Sequence, residues 1–251
     1  MNSLFIPFYF TPGARGITMR ELTGADESSA GENNTAGVLS LLEPLIIKET
    51  APEGFHANRI VTADRDRLIA RLYISLYGTK IASTLACEGC QEKFDLDFSL
   101  DDLLAHFHPG QVQIPEDGIY EAGPGIRFRL PAGADELATS GYDAKTAEKM
   151  MLERCLISGD PETDGKTVQL KMADIAPLLS QEMNAVCPEC SQVQKVLFDM
   201  QSFFMTRFLR ERQDLEEEVH LIASRYHWSH QEIVSLPRSL RKKYAALINA
   251  N

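Results

Sequence analysis

Two segments carry the residues best suited to chemistry: ACEGCQEKFDLDF, from Ala86 to Phe98, and VCPECSQVQKVLF, from Val186 to Phe198. Each holds a Cys-x-x-Cys pair followed by strand-forming residues, so they read as two copies of one device. Two intervening residues let one tight turn aim both sulfurs at a single point. One pair supplies half of a tetrahedral thiolate site, and two pairs complete it if the fold brings the turns together. In this reading Gly89 supplies the positive φ that such a turn needs, and Pro188 stiffens the second turn. Cys87, Cys90, Cys187 and Cys190 are therefore the expected ligands of one structural zinc ion per chain. All four positions are filled by protein sulfur, which leaves no open position for catalysis.

Other uses of the pairs fit less well. A thioredoxin-like site has its Cys-x-x-Cys at the start of a helix, whereas Phe94, Leu96 and Phe98 alternate as in a strand. Two separate disulfides call for an oxidising compartment. The opening MNSLFIPFYFTPG has no Lys or Arg and is broken by Pro7, which makes a poor secretion signal. The expected compartment is the cytoplasm. A zinc deaminase needs Pro-Cys-x-x-Cys with its His-x-Glu, and Ala86 and Val186, not proline, precede the two pairs. The fifth cysteine, Cys155, lies among Met150, Met151, Leu152, Leu156 and Ile157 and reads as a small buried hydrophobe. His106 and His108 at a helix end, and His220, His227 and His230 around Trp228, read as surface or end-capping groups. No Ser/His/Asp arrangement and no phosphate-binding glycine loop appears, so no enzyme is expected.

The chain has 251 residues, 44% hydrophobic and 24% charged, with a formal charge of −11. That composition suits a soluble globular protein and gives no general attraction to nucleic acid. No apolar run approaches the ~20 residues of a membrane span. Residues 1–37 read as a flexible or partner-docking arm: Leu4–Ile6 and Phe8–Phe10 are apolar, with Phe5 and Phe8 as candidate anchors, and TGADESSAGENNTAG has a mobile composition. An α+β core spans 38–199. There the apolar stretch Val38–Ile47 precedes ADRDRLIARLYISLYG, where Leu68, Leu72 and Leu76 recur at helical spacing, Asp64 and Asp66 sit at the favourable end and Gly78 closes the helix. LDDLLAHFHPG is a short helix stopped by Pro109-Gly110. A hairpin turns at Gly123–Gly125, and helices are expected over Asp143–Ile157 and Met172–Met183.

A helical segment, 200–251, completes the chain. Phe204, Phe208, Leu215, Val219, Ile222 and Tyr226 form one stripe of a long helix. Ser229–Glu232 is a capping box, and Pro237 opens a last helix with Leu240, Tyr244 and Leu247 on one face. Arg238, Arg241, Lys242 and Lys243 make that helix basic, but Glu211, Asp214 and Glu216–Glu218 precede it, so internal pairing explains both better than phosphate binding. The fold class is α+β: small antiparallel hairpins around a zinc-ribbon-like four-cysteine site, with peripheral helices and an all-helical C-terminal segment.

Taken together, DRDRLIARLYISLYG, the first Cys-x-x-Cys hairpin, FRLPAGADEL, CPEC running into FDMQSFF, and HLIASRYHWSHQEIVSLPRSLRKKYAALI resemble the baseplate hub component family of contractile-tailed phages and phage-like contractile injection systems. Proteins of that kind include baseplate hub assembly chaperones. The resemblance spans roughly residues 38–251 and is strongest over the last forty. It implies a structural or assembly subunit whose partners are other baseplate subunits and the spike or tube-initiator proteins, with no small-molecule substrate, nucleic acid or membrane. Tyr226, Trp228 and Tyr244 are the C-terminal candidates for partner contact, since aromatic residues dominate interface hot spots. The competing readings are a zinc-ribbon nucleic-acid-binding regulator and a dithiol oxidoreductase.

Overall fold

The computed structural model describes residues 3–109 and 115–250, so Met1, Asn2 and Gly110 lie outside the described residues. The architecture is α+β, with small antiparallel sheets and many helices. Strands β1 (Ser3–Pro7) and β2 (Gly16–Arg20) pair as a hairpin, followed by helices α1 (Gly24–Ser29), α2 (Thr35–Leu42) and α3 (Thr62–Tyr77). The first cysteine hairpin is β3 (Lys80–Ala86) with β4 (Lys93–Ser99), running into α4 (Leu100–His106). Then come β5 (Ile119–Gly123), β6 (Ile126–Arg129), α5 (Gly133–Thr139), α6 (Ala144–Cys155), β7 (Leu156–Ser158) and α7 (Pro161–Ile175). The second cysteine hairpin, β8 (Ser180–Val186) with β9 (Val193–Asp199), runs into α8 (Met200–Tyr226), and α9 (His230–Val234) and α10 (Arg238–Asn249) end the fold.

The order of elements repeats. In the first half, β1 pairs with β2, α1 and α2 follow, and Ile46 bridges to Met19 of β2 before α3, the cysteine hairpin and α4. In the second half, β5 pairs with β6, α5 and α6 follow, and β7 pairs with β6 before α7, the cysteine hairpin and α8. The sequence carries the same repeat: GITMRELTGADE, Gly16–Glu27, and GIRFRLPAGADE, Gly125–Glu136, share Gly, Ile, Arg and Gly-Ala-Asp-Glu at matching positions. Those residues do the same work twice. Arg20 forks onto Asp26 at 2.7 Å through both nitrogens, and Arg129 forks onto Asp135 at 2.6 and 2.8 Å. Each aspartate also accepts the backbone N–H of the residue capping its helix, Thr23 at 2.9 Å and Ala132 at 3.0 Å. Asp26 and Asp135 are both held below the usual carboxylate range: burial opposes ionisation, and the arginine and cap N–H outweigh it.

Helix α3 is the centre of the molecule. Thr62–Ala70, Leu72 and Tyr73 are buried, including four successive charged residues. An all-round buried helix with charges inside requires a partner for each charge. Asp64 accepts from the backbone N–H of Tyr9, Phe10 and Thr11 and from Thr11 Oγ1, at 2.7–2.9 Å. Arg65 pairs with Glu136. Asp66 accepts from Leu179 N at 3.0 Å, and Arg67 donates to the carbonyls of Ala63, Pro177 and Phe107. The two aspartates read as helix-dipole residues are thus the pins for the N-terminal strand and the start of β8.

Several expectations change. Residues 3–37 are folded in rather than loosely attached: Ile6, Phe8, Phe10, Ile17, Met19 and Leu22 are all at most 7% exposed, because Asp64 draws 9–11 onto α3 and β2 backs onto Ile46. The polar stretch from Thr23 to Gly37 forms α1 and the start of α2, with Thr23 and Asn34 as N-caps and Asp26 closing the first capping box. The expected helix over Met172–Met183 does not form as such: its first residues, to Ile175, end α7, and Ser180–Met183 lie in β8. Asp160 and Pro161 start α7 earlier, Pro177 lies beyond its end, and Asp66 fixes Leu179 for strand pairing. The α6 helix ends at Cys155, where β7 begins. On α10 the buried face is Arg238, Arg241 and Ala245, while Leu240 and Leu247 are exposed. That face is charged because Glu27, Glu211 and Glu218 meet it.

Burial pushes the Asp66 carboxyl up to about 7. The folded chain then holds a proton there between about pH 4 and 7 that the unfolded chain has released, so this group's contribution favours folding at low pH and declines as pH rises through 7. Asp66→Asn keeps an acceptor for Leu179 without that penalty. Chemical denaturation across pH should show the variant gaining stability relative to the parent from pH 5 to pH 8, by up to about 3 kcal/mol. Parallel profiles from pH 5 to 8 would refute this.

Candidate metal centre

Each cysteine turn is built the same way. Cys87 N donates to Glu92 O at 2.9 Å and Gln91 N to Cys87 O at 3.0 Å; Cys187 N donates to Gln192 O at 2.9 Å and Ser191 N to Cys187 O at 3.0 Å. The left-handed residue falls just after the second cysteine, at Gln91 (φ 64°) and Ser191 (φ 62°), and not at Gly89 as expected. Gly89 instead faces the other hairpin, where a Cβ would sit 3.7 Å from Cys190 Sγ. The strands run in matching registers, Lys80↔Ser99 to Ala86↔Lys93 and Ser180↔Asp199 to Val186↔Val193.

No ladder joins the two hairpins. Side chains do. Phe98 and Phe198 meet edge-to-face with ring centres 5.0 Å apart. Buried Gln194 crosses from one hairpin to the other, accepting from Glu88 N at 3.0 Å and donating to Ala86 O at 3.1 Å. At the tips, the sulfurs of Cys87, Cys90, Cys187 and Cys190 all lie within 4.8 Å of one another. Cys87 Sγ is 3.5 Å from Cys190 Sγ, and Cys90 Sγ is 3.7 Å from Cys187 Sγ.

Those distances are far beyond the ~2.05 Å of a disulfide, and all five cysteines are free. They match the edge of a tetrahedron with metal–sulfur bonds of about 2.3 Å, which is roughly 3.8 Å. The protonation pattern points the same way. The Cys90 backbone N–H, helped by that of Gly89 and by the other sulfurs, draws the Cys87 thiol down to about 6. The Glu92 N–H pulls on Cys90 too, but burial and the neighbouring sulfurs leave that thiol near 12. One thiolate forms readily and further ones are resisted, the condition that a divalent cation relieves. The residues present fit a four-thiolate metal site, and the described residues contain no other cluster of potential ligands.

Cys155 is fully buried and far from this arrangement in chemistry: desolvation pushes its thiol up to about 11. The aromatic candidates divide. Phe8 is buried and stacked on Phe55, so it serves internal packing, whereas Phe5 is 59% exposed and lies over Gly16. Tyr226, Trp228 and Tyr244 come together as one cluster with ring centres 5.1–5.5 Å apart, partly open to solvent. Gln194 was not singled out in the sequence. Its signal was the alignment of the two hairpins, where Gln194 stands in the position of Phe94.

No described helix is long and apolar enough to cross a membrane. Neither the curated proteins nor the solved structures include a match to the chain. The family model described as T4 bacteriophage base plate protein matches residues 11–159. That span takes in residues 11–37, which the resemblance read in the sequence left out. It stops short of the C-terminal stretch on which that resemblance leaned most, and of the second cysteine pair. It covers both Gly-Ala-Asp-Glu segments, α3 and the first cysteine hairpin, more than half of the chain, and the protein belongs to the T4 bacteriophage base plate protein family.

Proposed function

We propose that the protein is a structural or assembly subunit of the hub region of the baseplate in a contractile phage tail or contractile injection system, stabilised by one structural zinc ion. The family match over residues 11–159 carries the baseplate role. The sulfur quartet carries the zinc, because four thiolates at tetrahedral spacing are the donor set this borderline-soft ion prefers. Cys87 and Cys90 hold it from one half of the chain, Cys187 and Cys190 from the other. With every position occupied by sulfur the ion acts as a cross-link. A baseplate structural family suits a role without catalysis.

The partners in this reading are other baseplate subunits and the spike or tube-initiator proteins, met in the cytoplasm where such particles assemble. Phe5 and the Tyr226–Trp228–Tyr244 cluster are the aromatic surfaces available to them. The nucleic-acid reading loses its main support, since Arg238 and Arg241 are buried against Glu27, Glu211 and Glu218. An arginine already paired inside the fold offers little to phosphate.

Elemental analysis of reduced, purified protein should give one zinc per chain. Cys87→Ser and Cys190→Ser should each lose the metal and melt well below the parent, whereas Cys155→Ala should keep it. Two metals, or none, would overturn the single-site reading. Gln194→Leu tests the docking of the hairpins separately: it should retain zinc yet lose about 1–3 kcal/mol, because the Glu88 N–H and Ala86 carbonyl are left unpaired. The baseplate role predicts copurification with tagged baseplate or spike proteins from the assembling particle; recovery of the chain alone under those conditions would count against it.

A further inference from the structure

The two Gly-Ala-Asp-Glu segments each dock on the first turn of a helix from elsewhere in the chain. The second segment docks on α3: Ala132 bridges to Val61, Thr62 N donates to Pro131 O at 3.0 Å, and Arg65 donates to Glu136 Oε1 at 3.1 Å. The first docks on α10: Thr23 bridges to Pro237, Arg238 N donates to Leu22 O at 2.7 Å, and Arg241 donates to Glu27 Oε1 at 2.7 Å. In both sockets the bridging residue directly precedes the helix and the arginine is its fourth residue.

The glycine has the same purpose in both. A Cβ on Gly24 would come within 3.0 Å of Val234 Cα, and one on Gly133 within 3.2 Å of Asn58 Cα. Val234 lies three residues before Pro237, as Asn58 lies three before Val61. The contact is therefore one recognition module used twice. Neither use stays within a repeat: one joins the second half to the first, and the other joins the first half to the C-terminal extension.

The α9–α10 extension is separable in the way such a module allows. It leaves α8 through Tyr226–Ser229, where His227 is left-handed (φ 57°). Its apolar contacts form a small cluster around Ile222, Ile233 and Ala245, distinct from the main core. The rest of its attachment is polar and mostly charge: the backbone contacts with Thr23 and Leu22, Arg238 and Arg241 on Glu27, Arg238 on Glu211 and over the Phe208 ring, and Arg241 and Lys242 on Glu218. Ions released from such a contact regain their hydration, so an opened extension gives up little net free energy compared with an apolar one.

We propose that α9–α10 is an exchangeable arm: the surface around Glu27 is a docking site for a helix with arginine in its first turn, filled by the chain's own α10 in the monomer and by α10 of a second copy in an assembly. A second copy is the occupant because its α10 reproduces every contact of the closed form and requires no new surface, the condition under which domain swapping costs least. The arm then sits on α1 and the end of α8 of the neighbouring chain.

The test uses the full chain. Heavy-isotope-labelled and unlabelled protein are mixed at high concentration, held some degrees below the melting temperature and treated with a carbodiimide. Lys242 lies 3.4 Å from Glu218 on α8, and Lys149 lies 2.8 Å from Glu162 within the body. Mass spectrometry should find mixed-isotope Lys242–Glu218 links in a dimeric fraction, while Lys149–Glu162 links stay unmixed. Lys242–Glu218 links that remain unmixed in every fraction would overturn the proposal. Glu27→Gln should speed the mixing; equal rates in variant and parent would show that exchange does not pass through the Glu27 contact, which equally overturns it.

Discussion

Four sulfurs within 4.8 Å of one another, two from each of two hairpins, form the joint on which the rest of this structure depends. The hairpins share no ladder, and along the strands they are held by Gln194, the Phe98–Phe198 pair and a small apolar cluster in which Phe94, Leu85 and Leu96 pack with Ala185 and Val196. Thiols so crowded resist losing protons one after another, since each thiolate disfavours the next. A divalent cation reverses that preference and converts repulsion into cross-linking. Such a link would close a loop of about a hundred residues, which in the chain-entropy picture would remove several kcal/mol of freedom from the unfolded state. Because α4 and α8 grow directly from the strands that carry the sulfurs, the joint also sets where those helices start.

The second organiser is the first turns of α3. Apolar helices find partners by area, and many placements bury similar area. Asp64, Arg65, Asp66 and Arg67 are buried at the middle of the molecule, and each has a particular group to meet: backbone N–H groups at 9–11, Glu136, Leu179 N, and the carbonyls of Pro177 and Phe107. A charge left unmatched in that place costs far more than a missing methyl group. Misplacing any one of these segments would strand a charge, so the helix selects a single arrangement of the halves around it. The sulfur joint and the charged turn sit at opposite ends of the same link, since α3 leads into β3.

Much of this was legible in the sequence, for reasons that differ by element. The cysteine pairs could be read because thiolate spacing is itself the geometry. The capping box at Ser229 and the stripe of α8 could be read because local periodicity and tertiary burial agree there. The N-terminal residues could not, because Thr23–Gly37 has the composition of a mobile loop and is ordered by Asp26, Arg20 and the α10 arginines, all chosen by distant contacts. The face of α10 misled for the opposite reason: Leu240 and Leu247 follow helical spacing, yet the carboxylates that bury Arg238 and Arg241 come from residues up to 214 positions away. The helix Pro161–Ile175 is hidden in the sequence by its polar surface, and its signal lies in Asp160-Pro161, an N-cap followed by proline at the first helical position. The internal repeat was the clearest missed signal, since GADE occurs twice in plain sight.

The repeat also explains why the joints are polar. Two copies of one unit bury equivalent apolar surfaces, so apolar packing alone would not distinguish the correct pairing of parts from its symmetric alternatives. Contacts that differ between the copies do distinguish them. Gln194 stands where the first hairpin has Phe94, and only one placement lets it reach Glu88 N and Ala86 O. Glu27 meets two arginines and Glu136 meets one, so the two Gly-Ala-Asp-Glu segments, alike in themselves, have different sockets. Directional groups thus break a symmetry that the hydrophobic core would leave ambiguous. A connecting subunit depends on that choice, because a part that holds neighbours in place must present one face to each, and a duplicated chain free to pair either way would present two.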